Sequence, residues 1–596
     1  MHKQLLTLVA VLGLVHTAAC SGTGSDAKSG DSSNSSGGGS RYPSDGTSSS
    51  SSGSGSSSSG GSGSSSGSPE SELPGETEQS LEFDAPLAGA RFVYVANAAL
   101  DSLSVIDSQS LGIRRVAVGN APGDLTTVPG KDTALVINKG SKTASIVRAT
   151  ATDVQVSSVP VVPAVNRISV APDGLHAVAW YDVNRAAQGT LPGSMQDVSI
   201  VFLDAQGDTS VSMSVGAKPN AVVFSKDGQA AFVVGSDGIS ILRFAEIKTP
   251  GIARLLPVPF VATESAPDAG VDTTAVDGGA DGGATDSDGG VTDAGSDAPI
   301  VVPVLPGNSS AVPEVSVTDD GRYAVARREG SSMLVLIDLI TAEVKSLNLG
   351  AAITDLDMAK VNDKSFAFAV LRNSSSLVRV AVPEGFTGGS SLTWQLQGEI
   401  IGSASISADA SRAVLYTTAV DSKRLVLLDL RGTSAAAPRA VQLSKSIRAL
   451  AITADGKTAL VEHKKAAGNP EDTSADLDTR LDRAYGYTMV DLETGRTKLQ
   501  ITPADIGTFT VTPDSKYAFV LLRDKSLRLV QRLELGSFLV DDIKVGSPPV
   551  SMAALADTKK VFVSQEHSEG RISFVDWESQ IVETVTGFEM NGRILQ

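Results

Sequence analysis

Residues 168–174 read Ile168-Ser169-Val170-Ala171-Pro172-Asp173-Gly174, and after Leu175 follows His176-Ala177-Val178-Ala179-Trp180. Two short apolar runs flank an Asp-Gly pair, the pattern of a tight β-hairpin. A type I′ turn, with φ > 0 at both central residues, is the connection this dipeptide suggests. The same arrangement returns at Val222-Val223-Phe224-Ser225-Lys226-Asp227-Gly228 followed by Ala231-Phe232-Val233-Val234. It returns again at Asp320-Gly321 and Asp455-Gly456, and in degraded form at Asp409-Ala410, Asp514-Ser515 and Asp557-Thr558. A third apolar run, often ending in Asp, follows the hairpin, as in Val335-Leu336-Ile337-Asp338 and Val426-Leu427-Leu428-Asp429.

Working outward from these hairpins, second strands are expected near residues 92, 134, 177, 231, 324, 366, 413, 459, 518 and 561, with a common spacing of 42 to 47 residues. Four short strands per period of this length mark the blades of an all-β propeller. Ten four-stranded units in one closed ring are expected, with seven or eight blades as the alternative, since propellers of four to eight blades are the usual size. Helical periodicity is nearly absent. The first unit lacks an innermost strand before Phe92, and the apolar tail Gly592 to Gln596 is the expected strand to complete it and remove an open edge. Three long interruptions, Asp182 to Gln196, Val261 to Val312 and His463 to Gly486, are all expected on one face of the ring, opposite the Asp-Gly turns.

Phe92-Val93-Tyr94-Val95-Ala96-Asn97, then Ser104-Val105-Ile106-Asp107, then Val116-Ala117-Val118-Gly119-Asn120-Ala121-Pro122 resembles the YVTN type of propeller repeat. The resemblance covers nearly all of residues 91–590. It implies the fold and leaves function open, because that family includes surface proteins, lactonase-like enzymes and dehydrogenase subunits.

The chain of 596 residues carries a net charge of −18, which argues against nucleic acid as a partner. About half of the excess lies in Glu264 to Asp297, with nine acids and no base, inside an acidic insert at 262–300 that reads as disordered. Asp286, Asp288 and Asp297 fit positions 1, 3 and 12 of a calcium loop, but Val291 stands where the turn needs Gly. Lys3 and the apolar run Leu5 to Val15 suit a secretory signal and are too short to span a bilayer. Thr17-Ala18-Ala19-Cys20 resembles the lipobox of bacterial lipoproteins, with Thr17 where that family usually has Leu. The resemblance implies a signal peptide over 1–19 and lipid on Cys20, the single cysteine of the chain. Residues 20–85 form a Ser/Gly-rich tether, whose coil spans roughly 45 Å for about 65 residues. The propeller then occupies 86–596. Ser21, where many inner-membrane lipoproteins have Asp, points toward the outer membrane.

With one cysteine, neither a disulfide within the chain nor a thiolate zinc site can form. No cofactor and no metal are expected. The sharper pattern is basic: Arg327, Arg328, Arg372, His463, Lys464, Lys465, Arg523 and His567 follow second strands and would line one face of the ring as an anion-binding mouth. The function expected is a cell-envelope lipoprotein that displays its propeller as a non-enzymatic binding or scaffold module, anchored to the membrane at Cys20 and recognising an envelope protein or an anionic ligand. The alternatives are a lactonase-like propeller hydrolase and a subunit of a periplasmic redox complex.

Overall fold

The second strand of every unit is an apolar run flanked by a turn on each side, and each becomes the second strand of one small antiparallel sheet. In a computed structural model, these strands are Phe92–Asn97, Thr133–Asn138, His176–Trp180, Ala230–Gly235, Tyr323–Arg327, Lys364–Leu371, Arg412–Tyr416, Thr458–His463, Tyr517–Leu522 and Lys560–Gln565, here blades 1 to 10. The structure describes residues 88–182, 185, 194–204, 207–258, 313–389, 391–432 and 434–588. Cys20, the tether, the acidic insert and the tail 592–596 lie outside the described residues.

Within a blade the strands run inner, second, third, outer, each antiparallel to the last. Second and third strands are buried on both sides, as in Thr133–Asn138 and Met333–Asp338, because neighbouring blades cover both faces. Outer strands such as Ile113–Ala117 and Val344–Asn348 alternate exposed and half-buried residues. This is why the middle strands read as continuous Val/Ile/Leu runs and only the outer ones show polar alternation.

The core consists of ten apolar clusters, one at each interface between consecutive blades. Blade 1 packs on blade 2 through Tyr94, Leu103, Ala134 and Val147, and the pattern continues round to blades 9 and 10 through Phe519, Ile543, Val563 and Trp577. The tenth cluster joins blade 10 to blade 1 through Leu555, Phe574, Val93 and Ile106. Ten interfaces for ten blades make one closed ring. On one face, cations reach the carbonyls of the next blade's third-to-outer turn. Arg114 donates to Thr150, Arg254 to Ile340, Arg379 to Leu430, Arg439 to Glu493, Lys498 to Phe538, Arg532 to Trp577 and, across the closure, Lys560 to Ser108.

Three features differ from the sequence reading. The Asp-Gly turns are not type I′. Ser225 C=O accepts from Gly228 N–H, and only the Gly position has positive φ, as at Gly174 (62°), Gly228 (71°), Gly321 (65°) and Gly456 (69°). This is a type I turn followed by one left-handed residue. The Asp carboxylate is used instead as an internal cap: Asp227 takes Ser225 Oγ–H and Gln229 N–H, and Asp320, Asp409, Asp455 and Asp514 repeat the bonding. Secondly, a helix forms at Leu477–Arg483 in the third interruption, with Asp476 as its N-cap. Seven residues are too few to show a helical period. Thirdly, the third-to-outer connection of blade 4 sends Gly251–Ile252 across to pair, parallel, with the outer strand of blade 3, which makes that sheet five-stranded. Among the described residues blade 1 shows three strands, Phe92–Asn97, Ser102–Asp107 and Ile113–Ala117, and an isolated bridge from Ala88 to Val93 on its channel side.

Candidate functional site

Strand alternation puts second-to-third and outer-to-inner connections on one face. All three long interruptions are of those kinds: Trp180 to Asp197 and His463 to Tyr485 lie between second and third strands, and Leu256 to Glu314 lies between an outer strand and the next inner one. The hairpin turns and the cation-to-carbonyl pins occupy the opposite face. At the insertion-bearing end of the channel the inner strands are irregular. Register shifts lie between Ile353 and Asp355, Ile447 and Ala449, Ile506 and Thr508, and Pro549 and Ser551. Each bulge turns an extra residue, Thr354, Arg448, Gly507 or Val550, out of the ladder at the mouth of the channel, the kind of placement by which bulges re-aim side chains.

The structure sets the predicted basic residues at the ends of their second strands on this face, in blades 5, 6, 8, 9 and 10, and joins most of them to partners. Arg327 is buried, its Nε against the Glu314 carboxylate and its Nη1 donating to Ile353 C=O at 3.2 Å. Arg328 is half-buried beside it, and Arg372 opens a 3₁₀ turn, Arg372–Ser374. His463 is 3 % exposed and lies between Ser446 C=O (3.2 Å from Nδ1) and Thr488 Oγ1 (2.7 Å from Nε2). Burial brings its pKa down to about 4, so it is neutral at pH 7. Lys464 donates to Thr418 C=O at 2.7 Å and faces Asp421 at 3.3 Å, while Lys465 lies over the Tyr485 ring. Arg523 is exposed and reaches Gly507 C=O at 3.3 Å. His567 is half-buried against Arg571 at 3.1 Å.

The acids that balance these cations were missing from the sequence reading. Arg448, the bulge residue of blade 8, stands between Glu462 (2.8 Å) and Asp505 (3.2 Å). Glu462 is 6 % exposed, and burial pushes its carboxyl up to about 7 against the pull of Arg448. Across the ring Arg167 pairs with Asp182 at 2.8 Å and Arg185 with Asp124 at 2.6 Å, and burial raises the Asp124 pKa. Arg327, Lys464 and Arg448 thus each face a carboxylate. Among the described residues no group of three or more His, Cys, Asp or Glu converges to hold a metal. A hollow of about 200 Å³ between blades 4 and 5 lies on the opposite face, and its Asp227 and Asp320 are already spent inside their own turns.

No family model and no curated protein matches the chain. Among solved structures it is similar to apo AztD from Citrobacter koseri (12 % identity, TM-score 0.35, 83 % of this chain and 94 % of that one). It is also similar to the dihydro-heme d1 dehydrogenase NirN in complex with DHE (12 %, 0.36, 72 % and 77 %) and to the Kuenenia stuttgartiensis hydrazine synthase (15 %, 0.28, 44 % and 76 %). With every TM-score below 0.5, these likenesses say nothing of activity. The ten sheets and ten interfaces by themselves identify the chain as a ten-bladed β-propeller.

Proposed function

We propose that the protein is a lipid-anchored cell-envelope module whose insertion-bearing propeller face binds a protein or polar ligand without turning it over. One observation supports this most: all three long interruptions issue from the face where the inner-strand bulges open, while the opposite face is taken up with pinning one blade to the next. Loops set on a rigid scaffold are where binding groups collect. The short signal, Cys20 and the Ser/Gly run supply the anchor and leash, with the outer membrane favoured by Ser21. Cys20→Ala should leave an unprocessed precursor or a released protein, and fatty-acid labelling that persists in the variant would contradict lipidation. For the binding face, envelope extracts should yield a partner with the intact chain and lose it when residues 464–484 are replaced by a short Gly/Ser link. Capture that survives this replacement would contradict the assignment of the face. A partner that itself carries a redox cofactor would favour the redox-complex reading.

A lactonase-like hydrolase is the second reading, favoured by Glu462. A buried carboxyl titrating near 7 beside Arg448 at a channel mouth has the poise of a general acid or base. Lactone hydrolysis abolished by Glu462→Gln would establish it. No hydrolysis over a panel of lactones would remove it.

A further inference from the structure

Two arginines meet a buried carboxyl at the channel mouth, between blades 8 and 9. The bulge in the inner strand of blade 8 puts Arg448 outside the ladder, and its Nη1 donates to Glu462 at 2.8 Å and to Asp505 at 3.2 Å. In blade 9 the bulge residue is Gly507. A Cβ there would stand 3.2 Å from Arg523 Cγ, so glycine leaves the Arg523 stem room to lie across the inner strand. Arg523 N–H donates to Asp505 C=O at 2.7 Å, and its Nη2 donates to Gly507 C=O at 3.3 Å. The two guanidiniums are thus anchored two residues apart on one stretch of chain. Each uses one of its three nitrogens there, which leaves a fork of donors on both. Arg448 is half-buried, Arg523 exposed and Glu462 buried. Opposite Glu462 on the third strand stands Tyr487, whose hydroxyl is taken up in a bond to Gln531 Oε1 at 3.1 Å.

We propose that Arg448, Arg523 and Glu462 form a site for a small carboxylate, which Glu462 admits only when protonated. This names a ligand class for the insertion-bearing face and rests on the reading of that face as a binding surface. The charged groups facing Glu462 are Arg448 from its own blade and Arg523 and Asp505 from the next. With Glu462 ionised, the two arginines and two carboxylates sum to zero charge, and Arg448 is shared between both acids. With Glu462 protonated, the sum is one positive charge. Arg448 is then released from one acid, and the Glu462 O–H becomes a donor toward the incoming anion. A guanidinium offers a carboxylate two parallel N–H donors, a fit that a lysine ammonium lacks. Burial pushes the Glu462 carboxyl up to about 7, so the change in charge falls near neutral pH. At higher pH the carboxylate therefore enters together with a proton. No bond to the ligand is made or broken, so the site serves binding whether or not the hydrolase reading holds.

Isothermal titration of the full chain with D-gluconate, which stays ionised throughout, tests the site. Saturable binding at pH 6 should weaken about tenfold by pH 8, as the protonated fraction of a group titrating near 7 falls. Glu462→Gln, neutral at both pH values, should bind at pH 8 as tightly as the wild type does at pH 6. Arg523→Ala should weaken binding at pH 6 by at least about tenfold. Lys525→Ala, which removes an exposed cation paired with Glu566, should not. Four results would each overturn the proposal: no saturable binding at pH 6, wild-type affinity independent of pH, a pH-dependent loss that persists in Glu462→Gln, or equal losses from Arg523→Ala and Lys525→Ala. Partner capture that still depends on residues 464–484 would then leave the binding face standing and remove this site alone.

Discussion

Glu462 and His463 are sequence neighbours at the mouth of blade 8, and burial acts on them in opposite senses. It raises the carboxyl to about 7 and lowers the imidazole to about 4. Either shift favours the neutral form, as desolvation requires. The charged groups around Glu462 are Arg448 and Arg523, which lower its pKa, and Asp505, which raises it. An unfolded Glu ionises near 4.3, so between about 4.5 and 7 the folded chain holds a proton the unfolded one has released, and stability contributed by Glu462 falls as pH rises through that window. Glu462→Gln should therefore gain on the wild type by about 1–3 kcal/mol between pH 5 and pH 8. Denaturant midpoints at the two pH values measure this, and an offset that does not change with pH would contradict it. His463 works the other way: its unfolded form gains a proton below about 6.5, so its contribution is lost as pH falls from there toward 4.

At the scale of the element, the repeated hairpin needs one left-handed residue, not two. That is why Ala410 and Ser515 can stand where other blades have Gly, at φ of 52° and 54°. Ala410→Gly should stabilise the protein by up to about 1 kcal/mol, the left-handed strain less the entropy of Gly. Gly228→Ala should destabilise it by about 2 kcal/mol or more. A Cβ there would stand 2.4 Å from Asp173 Cγ and 2.8 Å from the Asp173 backbone nitrogen. Thermal melts of the two variants should move in opposite directions. The helix Leu477–Arg483 is held from below by Lys445, which is fully buried and donates to Leu481 C=O and, at 3.0 Å, Asp482 C=O. Lys423 adds an ion pair to Asp482 at 2.9 Å. Lys445→Met removes one of the two bonds each of those carbonyls accepts, Ala484 N–H still donating to Leu481 and Ala466 N–H to Asp482, at a cost of about 1–3 kcal/mol for the two charge-assisted bonds. Limited proteolysis should then cut within 464–484 well before the rest of the chain, and an unchanged digestion pattern would mean the helix is held by other contacts.

For the whole molecule, strand alternation and the Asp turns were legible because both are local. The blade count and the shared face of the three interruptions both followed from their spacing. The acid partners of individual cations did not, since Arg327 pairs with Glu314 and Lys464 with Asp421, 43 residues away in the preceding blade. Nor could sequence show that Arg379 and Arg532 are buried as pins onto Leu430 and Trp577 of the next blades. Such pairings exist only once the blades are set side by side.

Closure of ten blades into one ring brings Ser108 of blade 1 within 2.9 Å, oxygen to oxygen, of Thr558 in blade 10, 450 residues away. In a Cys20→Ala background, cysteines at these two positions (Ser108→Cys and Thr558→Cys) would be the only thiols in the chain. A disulfide tolerates Cβ atoms only about 3.5–4.5 Å apart. Mild oxidation should therefore cross-link the folded protein to near completion, giving a faster, reduction-sensitive band on denaturing electrophoresis. Two free thiols after oxidation of the folded protein would contradict the closed ten-bladed ring.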